Sequence, residues 1–132
     1  MRRDVGVSSA SVIGRLIYLY AGSADVPADV AFYRDQLGAE VVWHHQAMGT
    51  EVAAVRLGDG PLFLLADHRD PGTMVPIWTV EDLDEAAATL KASGWTGRAT
   101  RVEVPDGPCL RLRDPSGNEI GLLHQVRPGV MD

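Results

Sequence analysis

The hydrophobic and polar positions of the chain repeat one order of elements twice. A run rich in β-branched and aromatic residues, 12–20, predicts a first strand. Apolar residues at helical spacing then predict a helix, with Asp25 as its cap and Gly38 at its end. The apolar stripe of this helix consists of Val26, Val30, Tyr33 and Leu37. Short apolar runs between glycine turns predict three more strands, over residues 41–45, 51–57 and 62–65.

The second half of the chain follows the same plan. A strand is predicted over 74–80, and Asp82 with Glu85 three residues later is a capping-box pattern that begins a helix. Gly94 ends this helix. Three more strands are predicted over residues 98–104, 110–113 and 119–124.

The repeat predicts an α+β fold. Each β-α-β-β-β module offers a four-stranded sheet with one helix, and the face without the helix must also be buried. We therefore expect two modules that form curved mixed sheets enclosing a cleft, with the helices on the outer faces. The pattern leaves open whether the modules face each other within one chain or across a dimer. The predicted divisions are an arm (1–11), one domain (12–125, with modules 12–70 and 74–125) and a tail (126–132).

Composition narrows the class of function. Hydrophobic residues make up 45% of the 132 residues and charged residues 23%, which is typical of a globular domain. A net charge of −6 argues against nucleic acid and anionic membranes as partners. No apolar run reaches the length of a membrane span. Cys109 is the only cysteine and cannot form an intrachain disulfide, so a reducing cytoplasm is the expected location.

Three motifs in the expected order resemble one family. They are AFYRDQLG at residues 31–38, EDLD at 81–84 and RDPSGNEI at 113–120. Over about residues 12–125 the chain resembles the vicinal oxygen chelate superfamily, which contains glyoxalases, bleomycin resistance proteins and dioxygenases. The resemblance implies the repeated β-α-β-β-β fold described above. These motifs are structural, so they carry little information about chemistry.

The resemblance also implies where a metal ion would bind. In metal-dependent members, four strand positions supply His, Gln and Glu, and here they fall on Tyr18, Leu64, Val75 and Gly121. A lone tyrosine is no credible site for a divalent metal, which needs several oxygen or nitrogen donors. We therefore predict no metal and no cofactor. The resemblance then points to the metal-free branch, whose best-known members sequester antibiotics without chemistry.

Aromatic residues on the first two strands are candidates for ligand contact. Tyr18 and Tyr20 alternate along a strand and share a face, where they could stack on a flat ligand or form ordinary core. His44 and His45 point to opposite faces, so they cannot easily share a metal. His45 with Trp43 either lines the cleft or belongs to a surface pair at a sheet edge.

A charged residue in the last hairpin completes the candidate site. Arg111 lies between Leu110 and Leu112, so it points into the cleft if those leucines pack under the helix. A buried arginine needs an acceptor, either a ligand carboxylate or phosphate or Glu119 across the hairpin. Gly121, where metal-binding relatives carry Glu, is expected to leave room for a bulkier ligand. The predicted ligand-binding residues are Tyr18, Tyr20, Trp43, His45, Leu64, Val75, Ile77, Arg111, Gly121 and Leu123.

These residues predict a binding protein for an aromatic or heterocyclic small molecule, with antibiotic sequestration as one form of that function. The alternative is an enzyme of the same superfamily, either a metal-dependent lyase, isomerase or extradiol-type dioxygenase, or a metal-free catalyst that uses Arg111 and a histidine. A third hypothesis is a degenerate domain kept for a protein partner. Exposed sheet edges predict a homodimer, because proteins usually cover or pair such edges.

Overall fold

The structure, a computed structural model, describes residues 12–132, so the predicted arm (1–11) lies outside the described residues. The strands are β1 (Ile13–Gly22), β2 (Glu40–Ala47), β3 (Thr50–Arg56), β4 (Leu62–Ala66), β5 (Met74–Val80), β6 (Thr100–Val104), β7 (Gly107–Arg113) and β8 (Glu119–Leu123). The helices are α1 (Val26–Ala31), which continues in a π-helical turn (Phe32–Gln36), and α2 (Leu83–Ala92). In the described part of the chain, neither helix has the length and apolar composition needed to cross a membrane.

The eight strands form one mixed sheet in the order β2-β3-β4-β1-β5-β8-β7-β6. β1 and β5 pair antiparallel at its centre. Each of them also pairs in parallel with the last strand of its own module, β4 or β8. Both modules therefore extend outward in the same strand order, which confirms the α+β repeat. The two predicted sheets join edge to edge through β1 and β5.

The two faces of the sheet follow the alternation of the strands. On the outer face, α1 buries Val26 and Val30 against residues of β3 and β4, and α2 buries Leu83 and Ala86 against β7 and β8. Those strand residues are Ala53, Val55 and Leu65 under α1, and Leu110, Leu112 and Leu122 under α2. The inner face carries a separate apolar cluster from both modules. This cluster contains Ile17, Tyr18, Ala54, Leu64, Val75, Ile77, Cys109 and Leu123.

The inner face encloses a cleft within a single chain. Trp43 of edge strand β2 and Val104 of edge strand β6 line the same cavity, although six strands separate β2 from β6 in the sheet. The sheet must therefore curl until its two edges approach each other. The two modules thus face each other within one chain, which answers the question that the sequence left open.

Both helices begin where the sequence predicts. Asp25 Oδ1 accepts a hydrogen bond from the Ala28 amide at 3.0 Å, and Asp82 Oδ1 accepts one from the Glu85 amide at 2.9 Å. The predicted stripe of α1 is wrong at its last member, because Leu37 is 53% exposed. The π-helical turn before it holds more residues per turn than an α-helix, so Leu37 rotates away from the sheet.

The β6–β7 hairpin is tighter than predicted. β7 begins at Gly107 and not at residue 110, so only Pro105 and Asp106 connect the two strands. A Cβ atom at Gly107 would lie 2.0 Å from the His124 carbonyl oxygen. Glycine lets the backbone of this turn approach β8 closely. This contact places Asp106 against the end of β8, where the cleft begins.

Candidate functional site

The cleft has two ends that meet at a common wall. One end is a cavity of about 420 Å³ with mostly apolar walls, here called the apolar end. The other is a cavity of about 880 Å³ lined by three arginines, here called the cationic end. Four residues line both cavities: Tyr20, Ile77, Val104 and Cys109. Both volumes fall in the range of sites that hold small molecules.

The structure places all ten predicted ligand-binding residues on the walls of this cleft. Those at the apolar end are Tyr18, Tyr20, Trp43, His45, Leu64, Ile77 and Leu123. Those at the cationic end are Tyr20, Val75, Ile77, Arg111 and Gly121. Strand alternation brings them to one face, and the curl of the sheet brings them together. Contact with a ligand remains a prediction for each of them.

An aromatic pair forms one wall of the apolar end. Trp43 and His45 lie two residues apart on β2, with ring centroids 5.1 Å apart and ring planes 19° from parallel. The Trp43 indole Nε1 donates a hydrogen bond to the Met131 carbonyl at 2.7 Å, which fixes the ring and holds the tail against the cleft. His44 points away, as expected, and pairs with Glu51 at 2.5 Å.

A buried carboxylate lies at the apolar end. The Tyr18 hydroxyl donates to Asp106 Oδ2 at 2.6 Å, and the Gln125 side-chain amide donates to the same oxygen at 3.1 Å. Asp106 is 1% exposed, and its Oδ1 has no hydrogen-bond partner among the described residues. Burial, and then the hydrogen bond with Asp106, raise the pKa of Tyr18 well above its usual value. Tyr18 is therefore a protonated donor at neutral pH.

Sequence reasoning missed Asp106 as a cleft residue. It lies in the short β6–β7 turn, where an aspartate next to proline and glycine indicates only turn chemistry. Its burial depends on Tyr18 and Gln125, which are far from it in sequence. No pattern of neighbouring residues in the sequence predicts such a contact.

Two arginines share one carboxylate at the cationic end. Arg111 Nε donates to Glu119 Oε2 at 2.5 Å, and Arg69 Nη2 donates to Glu119 Oε1 at 3.1 Å. The pairing of Arg111 with Glu119 across the hairpin is thus confirmed. Burial opposes ionisation of Glu119, but its hydrogen bonds to Arg111 and Arg69 outweigh this and hold its pKa below the usual value. The carboxylate stays ionised at neutral pH.

Arg69 and His68 are further residues that the sequence did not single out for the site. Both belong to the polar segment between β4 and β5, which has no apolar periodicity in the sequence. The Arg69 guanidinium carbon lies 5.2 Å from the centroid of the Tyr20 ring, within range of a cation–π contact. The Tyr20 hydroxyl is hydrogen-bonded to His68 Nε2. This segment therefore forms one side of the cationic end.

The donors on the inner face do not fit a divalent metal ion at the positions that the fold family implies. Leu64, Val75 and Gly121 carry no donor atom, and the hydroxyl of Tyr18 is bonded to Asp106. Within residues 12–132, no three His, Cys, Asp or Glu side chains lie together in a group that could hold a metal ion. The prediction that the chain binds no metal stays a prediction.

The space beside Gly121 is smaller than the sequence predicts. A Cβ atom at this position would lie 3.1 Å from Ile77 Cγ1 and 3.3 Å from Cys109 Sγ, which is tight for carbon and sulfur. Neighbouring side chains therefore fill part of the room that the missing glutamate leaves. Burial raises the pKa of the Cys109 thiol to about 11, so the thiol is protonated and a poor nucleophile at neutral pH.

One family model matches most of the chain. Its description is Glyoxalase/Bleomycin resistance protein/Dioxygenase superfamily, and the match covers residues 15–122. No curated protein sequence matches the chain as a relative.

Several solved structures share the fold at low sequence identity. Methylmalonyl-CoA epimerase from Mycobacterium tuberculosis is 20% identical over 86% of this chain and 89% of that chain, with a TM-score of 0.69. Homoprotocatechuate 2,3-dioxygenase from Brevibacterium fuscum is 22% identical over 86% of this chain and 33% of that chain, with a TM-score of 0.64. A superfamily member from Vibrio splendidus is 16% identical over 82% of this chain and 95% of that chain, with a TM-score of 0.58. At these identities the likeness establishes the fold and not the reaction.

Proposed function

The chain belongs to the glyoxalase/bleomycin resistance protein/dioxygenase superfamily, and on that premise we propose that its cleft binds a planar aromatic or heterocyclic small molecule. The stacked pair of Trp43 and His45, facing a cavity of about 420 Å³, carries the proposal. The flat face of such a pair favours another flat ring over an aliphatic chain of the same area. The remaining walls of this cavity are largely apolar, which favours burial of a ring system.

Two groups on the wall of the apolar end, Tyr18 and Cys109, favour binding over catalysis. Tyr18 keeps its proton because its pKa is raised, and the thiol of Cys109 keeps its proton for the same reason. Neither group can serve as a base near neutral pH. Sequestration of an antibiotic with a planar ring is one use of such a site that fits the family.

We also propose that binding needs no divalent metal, since the donors at the four family positions do not fit one. Elemental analysis after mild purification should find no stoichiometric iron, zinc, nickel, manganese or magnesium. Chelator should leave the melting temperature and ligand binding unchanged. One equivalent of metal that chelator removes together with binding would contradict this part of the proposal.

Thermal shift with a panel of planar aromatic compounds tests the proposed binding. Trp43→Leu should remove most of the stabilisation that a ligand gives the wild type, because it deletes the stacking wall. Trp95→Leu is the matched control, since Trp95 packs on the outer face beside α2. Its ligand-induced shift should equal that of the wild type. A panel in which no compound stabilises the wild type would contradict the proposal.

A second candidate function is favoured by the contact between Tyr20 and His68. A hydroxyl bonded to an imidazole beside Arg69 and Arg111 is an arrangement that could move a proton on an anionic substrate without a metal. Incubation of candidate acids in deuterated water would reveal this by incorporation of deuterium at carbon. Incorporation that His68→Gln abolishes would establish an isomerase-type enzyme in place of a binding protein.

The homodimer remains a proposal that rests on the sheet edges. β2 and β6 are the edge strands of the sheet, and each leaves one row of backbone groups without a strand partner among the described residues. Light scattering at micromolar concentration should give twice the mass of the chain. A monomer mass would contradict the proposal.

A further inference from the structure

We propose that the cationic end binds the carboxylate of a ligand whose aromatic ring lies at the apolar end, so that the ligand class is an aromatic carboxylic acid. The inference rests on the proposed binding of a planar ring and adds the charge and the orientation of the ligand. It follows from the charges at one end of the cleft, from the donors that remain free there, and from the side chains that line both cavities.

The cationic end carries an excess of positive charge. Arg69 and Arg111 share the single carboxylate of Glu119, so one of the two guanidinium charges has no counter-charge in this ion pair. The same cavity is also lined by Arg113 and Asp70, whose charges cancel each other. His68 adds no negative charge. An anionic group is therefore the one that this end of the cleft attracts.

Donors remain for an anion to bind. Arg111 uses Nε and Nη2 on Glu119, its Nη1 makes no hydrogen bond with the described residues, and its side chain is 39% exposed. A ligand can therefore reach this guanidinium without breaking the existing pair. The buried Nε of Arg69 also has no partner among the described residues. Guanidinium groups match the geometry of a carboxylate, which accepts two hydrogen bonds side by side.

The cleft fixes which way such a ligand lies. Tyr20 and Ile77 line both cavities, so the two ends adjoin at these side chains, and a ligand that lies over them reaches both. At the apolar end the Tyr18 hydroxyl already donates its proton to buried Asp106, so it is not free to bind a ligand carboxylate. Oxygen Oδ2 of Asp106 already accepts from Tyr18 and Gln125, and both oxygens are covered. The ring therefore enters the apolar end and the carboxylate stays near Arg111.

Isothermal titration with three ligands that share one ring tests the inference. Naphthoate, naphthamide and naphthylmethylammonium present the same flat body with a negative, neutral or positive group. We expect naphthoate to bind about tenfold tighter than naphthamide, the gain of one charge-assisted hydrogen bond. We also expect the difference to shrink as salt rises, because Arg111 is partly exposed.

The three titrations distinguish failure of this inference from failure of the proposed function. Equal binding of naphthoate and naphthamide would overturn the inference and leave aromatic binding intact. Tightest binding of the ammonium compound would also overturn it. Failure of all three compounds to bind would overturn both proposals.

Variants of Arg111 test where the carboxylate of the ligand binds. Arg111→Gln should abolish the preference for naphthoate over naphthamide while keeping the affinity for naphthamide, and Arg111→Lys should restore part of the preference. Arg101→Gln is the matched control, because Arg101 pairs with Asp84 of α2 on the outer face. The ratio of the affinities of Arg101→Gln for naphthoate and naphthamide should equal that of the wild type. A preference that survives Arg111→Gln unchanged would contradict the assignment.

Discussion

The two ends of the cleft are built from the same sheet face, yet different forces hold them together. At the apolar end, Leu123 and Tyr18 are fully or nearly fully buried and pack in one apolar cluster. At the cationic end, Arg69 and Arg111 meet around Glu119 with less burial. Apolar burial depends only weakly on ionic strength and pH, whereas charge pairs depend strongly on both. The comparison predicts that the apolar end stabilises the fold and the cationic end selects the ligand.

The largest effect on stability is expected from the apolar end. Leu123→Ala removes a side chain that is 0% exposed on the inner face of β8. The free energy of unfolding should fall by about 2–5 kcal/mol, because the substitution loses buried area and leaves a cavity. Denaturant unfolding measures this change.

Leu37→Ala is the control for this prediction. Leu37 is 53% exposed at the end of the first helix, so its truncation should change the free energy of unfolding by less than about 0.5 kcal/mol. If Leu123→Ala and Leu37→Ala lowered the free energy of unfolding by the same amount, the apolar end would not be close-packed around Leu123.

A smaller effect is expected from the hydrogen bond to the buried carboxylate. Tyr18→Phe keeps the ring but leaves Asp106 Oδ2 with Gln125 as its remaining donor. The free energy of unfolding should fall by about 1.5–3 kcal/mol, the range for hydrogen bonds to charged groups. Tyr33→Phe is the control, because the Tyr33 hydroxyl makes no hydrogen bond with the described residues. Equal losses in both variants would show that the effect comes from removing a tyrosine hydroxyl in general and not from the hydrogen bond to Asp106.

The smallest effect on stability, and the one most dependent on pH, is expected at the cationic end. Glu119→Gln should lower the free energy of unfolding by about 1 kcal/mol at neutral pH. The folded-state pKa of Glu119 is lowered, so its contribution is present above the usual glutamate pKa of about 4.3 and is lost as pH falls through the folded-state value. The wild type and the variant should therefore converge in acid.

Glu103→Gln is the control for this dependence of stability on pH, since Glu103 pairs with Arg127 and both side chains are at least half exposed. Its stability should match that of the wild type across the range, within about 0.5 kcal/mol. A difference in the free energy of unfolding between the wild type and Glu119→Gln that stayed constant down to low pH would contradict the stabilising role of the Glu119 carboxylate.

The parts of the fold that follow from local pattern could be predicted from the sequence. β-Forming residues and short apolar runs between turns located all eight strands, although β7 begins three residues before its predicted start. The alternation of Leu110, Arg111 and Leu112 predicted that Arg111 faces the cleft if the leucines pack under the helix, and they do. Aspartate caps and glycine ends located both helices. The exception is Leu37, where helical spacing failed because a π-helical turn interrupts the α-helical period.

The residues that the sequence did not reveal come from connecting segments. Asp106 lies in a two-residue turn, and Arg69 and His68 lie in the segment that connects β4 to β5. Turn and linker residues have no periodicity, so only the closed tertiary structure shows which of them face the cleft. The sequence predicts too much room beside Gly121 for a similar reason. The side chains of Ile77 and Cys109 fill part of this room, and their packing against Gly121 is a tertiary contact.

The most direct test of aromatic binding in this cleft uses the three indole N–H signals of the chain in a nuclear magnetic resonance titration with naphthoate. Trp43 lies in the cleft, whereas Trp78 and Trp95 pack on the outer face with α2. We expect the Trp43 signal, assigned with Trp43→Phe, to shift and saturate while the other two signals stay in place. A Trp43 signal that does not move, or a shift confined to Trp78 or Trp95, would contradict it.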